Sequence, residues 1–149
     1  MKVPSRKAVS AAAQRRNDLQ ADRVKAATVR EVFPQVGVIH VDLDFGDKAG
    51  RPPSPQRHSL YPPARAFFRF ICPCADCDGD FDLGAAVTEL VKAGAPAKRA
   101  AGRSVTGRTL CQGTHWRDST HSEACRIELN FRVVVSFGST VEQPAESAA

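Results

Sequence analysis

Five cysteines carry the chemistry most readily read from this chain. Three fall within six residues, in Cys72-Pro-Cys74-Ala-Asp-Cys77-Asp-Gly79, and two more, Cys111 and Cys125, are separated by thirteen residues. Thiolates that bind one tetrahedral ion must converge to about 2.3 Å from it. A tight turn presenting two of them, facing a hairpin presenting two more, meets that demand, and Gly79 supplies the backbone freedom such a turn uses. An odd count fits a disulfide framework poorly, and thiols in a reducing compartment bind metal or do chemistry rather than pair. The expectation is one structural Zn2+. Cys77, Cys111 and Cys125 are expected among its ligands in every version, and Cys72 and Cys74 compete for the fourth place. An iron–sulfur cluster also wants four thiolates, but its familiar spacings are absent. A redox dithiol at Cys74 and Cys77 would leave Cys111 and Cys125 unexplained.

This constellation resembles the zinc-ribbon and treble-clef group of metal-stabilised domains, over residues 72–125 only. The resemblance implies a closed, structural, cysteine-only site. The chain departs from the usual ribbon by the third cysteine in its first cluster and by a helix between the two ligand pairs.

Other residues invite chemistry and are better explained otherwise. His115 and His121 each lie four positions from a cysteine and could replace one, or hold an open site with water. With five thiols nearby they read as loop residues. Asp76, Asp78, Asp80 and Asp82 alternate through the turn but fail the calcium-loop template, because the glycine is misplaced and Val87 stands where a bidentate Glu belongs. They read as favourable charge at a helix N-terminus, facing Lys98, Arg99, Arg103 and Arg108. His40, Asp42 and Asp44 share a strand face, where pairing with Arg126 or Arg132 is the simplest account. There is no phosphate loop, nucleophile elbow or matched acid–base pair, so the expectation is that the protein is not an enzyme and has no small-molecule substrate.

The elements that must position these residues follow from periodicity. Residues 5–33 read as one helix, begun by Pro4 and ended by Pro34. Its first half reads as a solvated helix or loose arm, and its second half docks through Val24, Val29, Val32 and Phe33. Val36–Phe45 alternates as a half-buried strand. The stretch holding Pro52, Pro53, Pro55, Pro62 and Pro63 reads as loop. Residues 64–72 form a second strand. Asp82 caps a helix whose apolar stripe is Leu83, Ala86, Val87, Leu90 and Val91, closed by Gly94. Residues 104–111 form a third strand, and Cys125 opens a fourth through Phe137. The fold class is therefore α+β: an antiparallel sheet of about four strands, one covering helix, a zinc staple and an N-terminal helix. The domains are a basic arm over 1–33, a zinc-binding domain over 34–138 and a disordered tail over 139–149.

Charge points to a partner. Net charge is +5 over 149 residues, but residues 1–30 hold eight basic side chains against two acids, and the remainder holds thirteen against fourteen. Basicity belongs to the arm. Arg15, Arg16 and Arg23, with Trp116 and Arg117 of the polar loop, are the expected contacts to nucleic acid, a ribonucleoprotein or another protein. No apolar run approaches the ~20 residues that span a bilayer, and the charged opening lacks a secretory core, so the expected compartment is cytoplasmic.

Overall fold

The computed structural model describes residues 6–46, 55–74, 77–96, 102–116 and 122–138, with the side chains of 6–12 and of 116 outside that description. In chain order the elements are α1 (Arg6–Lys25), α2 (Val29–Val32), β1 (Val36–Phe45), β2 (Gln56–Leu60), β3 (Arg69–Ile71), β4 (Asp80–Asp82), α3 (Gly84–Ala93), β5 (Arg103–Leu110), β6 (Thr114–Trp116), β7 (Ser122–Ala124) and β8 (Glu128–Phe137). Four strands form one antiparallel sheet in the order β2-β1-β8-β5. Two further antiparallel pairs, β3-β4 and β6-β7, form short ribbons outside it.

The long central strands owe their form to alternation. Ile39, Val41, Leu43 and Phe45 of β1 turn inward with Leu129, Val133 and Val135 of β8, and all are buried. Across the pair, Val41 faces Val133 and Ile39 faces Val135. Helix α3 covers this face along β8 and β5, burying Val87 and Val91, and Gly94 ends it at φ +77. Side chains at i, i+4 lie on one helix face, which is why those two valines suffice to seat it. The opposite sheet face carries Asp44, Thr106, Arg108, Asn130 and Arg132, all exposed. The mixed architecture and the four-stranded count agree with the sequence expectation; the membership of the sheet does not.

The proline-rich stretch supplies an edge strand. Its window Gln56–Leu60 contains no proline, and the prolines flank it. An edge position tolerates such neighbours because only one side of the strand must hydrogen-bond. Arg57 of β2 faces Asp42 and donates to both its carboxylate oxygens, at 2.7 and 3.1 Å. That hydrogen bond, outweighing partial burial, holds the Asp42 carboxyl below its ordinary range. The expected partner Arg132 sits across from Asp42 on β8 and contributes only at longer range, and Arg126 is no partner.

Residues 64–72 do not join the sheet. Ala64 O accepts from Val29 N–H and Ala66 N–H donates to Ala27 O, so this backbone is tied by a bridge at Arg65 to Thr28 before α2, and 69–71 pair with β4. The N-terminal helix is likewise interrupted. Thr28 and Glu31 form a reciprocal capping box that starts α2 afresh, with Glu31 Oε1 accepting from Thr28 N–H at 3.0 Å. Leu19 and Val29 are the buried anchors, whereas Val24 is 55% and Val32 47% exposed, which corrects the docking set expected from sequence. Asp82, the expected cap, lies one position before the observed one: its Oδ1 accepts from Gly84 N–H at 2.8 Å while Leu83 occupies the N-cap.

Candidate metal centre

Cys72, at the end of β3, inherits the inward direction of Phe70; Ile71 between them is exposed. Cys77 lies on the return from that turn toward β4. Cys111 follows β5, and Cys125 lies between β7 and β8. Between the last two cysteines, where the sequence reads as a polar loop, β6 and β7 pair as a separate hairpin ribbon. Cys125 itself belongs to the hairpin and not to the fourth sheet strand, because its N–H donates to Gly113 O at 2.9 Å and β8 starts only at Glu128.

The sulfurs of Cys72, Cys77, Cys111 and Cys125 lie within 4.8 Å of one another, and all four residues are buried. Cys72 Sγ stands 3.7 Å from Cys125 Sγ, and Cys77 Sγ stands 3.6 Å from Cys111 Sγ. A tetrahedron with arms of about 2.3 Å has edges of about 3.8 Å. The two shortest edges of this cage thus match the spacing that a single four-coordinate ion requires. The fourth place in the cage falls to Cys72, and Cys74 stands outside it, half-buried.

The cage has an approximate twofold arrangement that sequence reading missed. Cys77-Asp-Gly79 and Cys111-Gln-Gly113 are equivalent knuckles. In each, the glycine N–H donates to the preceding cysteine's Sγ at 3.3 Å. Cys72 N–H donates to Gly79 O at 3.1 Å, as Cys125 N–H does to Gly113 O. The knuckles pack back to back. A Cβ on Gly113 would stand 2.5 Å from Gly79 Cα, and one on Gly79 would collide with Cys111 Sγ. Glycine is needed here for close approach of two backbones, not for positive φ, since neither residue adopts it. Asp78 ties the knuckles together: its Oδ1 accepts from Thr114 N–H at 2.8 Å and its own N–H donates to Thr114 O. The repeated Cys-x-Gly was the signal available in the sequence.

The donor set also fits a cation electrostatically. Cys111 is pulled below the ordinary thiol range, first by its hydrogen bond with Cys72. Cys72 is pushed up by the same bond, and burial pushes up Cys77 and Cys125. Four thiols in one buried pocket cannot all ionise on their own. A bound cation inverts that balance, because a coordinating thiol is deprotonated outright.

Helix α1 lies over the knuckles. Arg15 Nη2 donates to Asp80 Oδ1 at 2.8 Å, and Arg69 Nε donates to Asp80 Oδ2 at 3.0 Å. Burial alone would raise Asp80, but these two guanidinium bonds hold its carboxyl below the usual range. Arg16 Nη2 donates to Cys74 O at 3.1 Å, and Arg23 lies 5.7 Å over the ring of Phe67. Of the described aspartates of the turn, Asp80 thus bonds α1 and β3, while Asp78 holds Thr114 and Asp82 holds Gly84. Arg103 instead donates to Gly94 O and Arg108 reaches Glu128; Asp76, Lys98 and Arg99 lie outside the described residues. Three of the expected partner contacts, Arg15, Arg16 and Arg23, lie against the protein itself. Arg117, His121 and the side chain of Trp116 lie outside the described residues. His115 pairs its backbone with Cys77, and its ring stands within 4.8 Å of the sulfurs of Cys74 and Cys125.

Comparison of the chain with protein-family models, with curated proteins and with solved structures finds no match to any of them. The cysteine cage that could hold a metal ion is what the fold itself establishes. Among the described residues, no helix is long and apolar enough to cross a membrane.

Proposed function

We propose that the protein is a non-catalytic module clamped by one structural Zn2+, held by Cys72, Cys77, Cys111 and Cys125, that binds nucleic acid or a ribonucleoprotein. The carrying observation is the buried four-sulfur cage, whose shortest edges of 3.6 and 3.7 Å suit one tetrahedral ion. Tetrahedral all-sulfur donor sets select zinc or iron, and closed four-ligand sites are structural because no position remains for substrate or water. Support for the partner comes from charge. Arg57, Arg108 and Arg132 line a groove of about 650 Å³ on the uncovered sheet face together with Asp42 and Asp44, of which Asp42 is already bonded to Arg57. The sequence of residues 1–30 adds an excess of basic over acidic side chains, eight against two.

Binding of labelled DNA and RNA oligonucleotides, followed by anisotropy across a salt series, tests the partner. The log of affinity should fall with log salt at about −0.7 to −0.9 per phosphate neutralised. Arg108→Ala and Arg132→Ala should each flatten that slope.

A second reading, a protein-interaction adaptor in the same compartment, is favoured by one observation. Arg15 and Arg16 are half-buried against Asp80 and the Cys74 carbonyl, so much of the arm's charge already has partners within the chain. Absence of salt-sensitive binding to either nucleic acid would put the adaptor first.

A further inference from the structure

The four-sulfur cage leaves one cysteine over, and that cysteine has company. Cys74 Sγ, a ring nitrogen of His115 and Cys125 Sγ lie within 4.8 Å of one another. Cys74 and His115 are half-buried, on the solvent side of a cage whose own ligands are all buried. Their placement is built, not incidental. His115 is fixed by a backbone bridge to Cys77, a member of the cage, and Cys74 O is held by Arg16 of α1.

We propose that Cys74, His115 and Cys125 form a second metal site, which takes a thiophilic ion such as Zn2+ or Cd2+ with the Cys125 thiolate as a bridge to the buried centre. The inference rests on the zinc reading of the cage. A thiolate that has bonded one ion keeps lone pairs for another, so sharing Cys125 costs neither site its sulfur donor. Two sulfurs and an imidazole are the donors that borderline and soft ions prefer. The three donors, already within 4.8 Å of one another, would close onto an ion along arms of about 2.0–2.3 Å. Three protein ligands leave the fourth position to water, unlike the closed cage. The second ion is therefore the weaker and more exchangeable of the two, and its binding depends on groups that the first does not use.

Native mass spectrometry of the full chain, prepared under reducing conditions with its resident metal and then titrated with Cd2+, counts the ions directly. The wild type should pass from one bound ion to two. Cys74→Ser and His115→Ala should each stop at one, and retention of that first ion shows the variants are folded. A wild type that stays at one ion in excess Cd2+ overturns the second site and leaves the buried centre standing. A second ion that persists in both variants overturns the assignment to these residues. A protein that binds no ion at all sinks this inference and the zinc reading together.

Discussion

The two halves of the molecule are held by different physics. Around β1 and β8 the chain builds an ordinary core: ten-residue strands, alternation along Ile39–Phe45 and Leu129–Val135, and a helix over the inward face. Around the cysteines the elements are shorter, and they join the same core through Phe70, Phe81 and the cysteines themselves. The ribbons are three residues per strand, and all of β7 is exposed. Apolar burial scales with the area removed from water, and a three-residue ribbon removes little. An isolated two-stranded hairpin is at best marginal in water. What the ribbons have instead is a convergence of four thiols, two N–H···S knuckles and a cap of polar bonds from α1. On the proposed reading, a metal would reinforce ribbons whose short strands reach the common core only through Phe70, Phe81 and the cysteines.

The sharpest way to break this comparison is to remove one sulfur. Changing Cys72, Cys77, Cys111 or Cys125 to Ser should abolish binding at the buried centre and melt the ribbons, with hydrogen exchange rising first in 72–79 and 111–125. Structural zinc contributes an apparent ~10–16 kcal/mol, comparable with a whole domain's stability of about 5–15 kcal/mol. Cys74→Ser should leave the melting temperature nearly unchanged. If all four cage variants melt like the wild type, the two halves do not differ in the way described.

In the sheet the expected penalty is smaller and needs no metal. Leu129→Ala deletes a fully buried side chain and should cost about 2–5 kcal/mol in denaturant unfolding, with metal content retained. Loss of metal in that variant would mean the halves are one cooperative unit.

Glycines sharpen the contrast at a lower magnitude. Gly113→Ala would press a methyl into the Gly79 backbone, and overpacking of this kind costs about 1–3 kcal/mol or more. Its effect should appear as weakened metal affinity in a chelator competition. Gly46→Ala, whose methyl would meet its nearest neighbour at an ordinary 3.6 Å, should change neither quantity.

The smallest effect belongs to the polar cap. Asp80→Asn removes the charge shared by Arg15 and Arg69, both about one-third exposed, and should cost about 1 kcal/mol or less after solvent screening. The sign with pH is fixed. Because the folded carboxyl is held low, its contribution is present above the unfolded value near 3.9 and is lost as pH falls through the folded one. Thermal melts from neutral pH down to acid should therefore converge for wild type and variant.

The same division governs what was legible in the sequence. β1, α3 and β8 could be read because alternation and a helical stripe repeat over many residues, enough for the pattern to be unambiguous. β2 could not, since its five residues are mostly polar and become a strand only when β1 offers an edge. The ribbons are too short to show a period. Of the site, the convergence of the cysteines was legible from spacing, whereas the β6-β7 pairing between Cys111 and Cys125 was not, since that stretch reads as a polar loop. The choice of Cys72 over Cys74 was not, because it depends on β3 directing Phe70 and Cys72 inward together. Nor was the docking of α1, where polar pairs across more than fifty residues of sequence, such as Arg15 with Asp80, replace any local signal. That docking also changes what the arm is. Val29 is wholly buried, so a protein lacking residues 1–30 loses part of its core along with its charge.

X-ray absorption at the metal edge, on full-length protein purified under reducing conditions and passed over a chelating resin to clear weakly held ions, tests the central claim most directly. The account predicts about one zinc per chain with four sulfur neighbours near 2.3 Å. Protein that is folded and free of metal, or a metal whose first neighbours are oxygen and nitrogen, would contradict it.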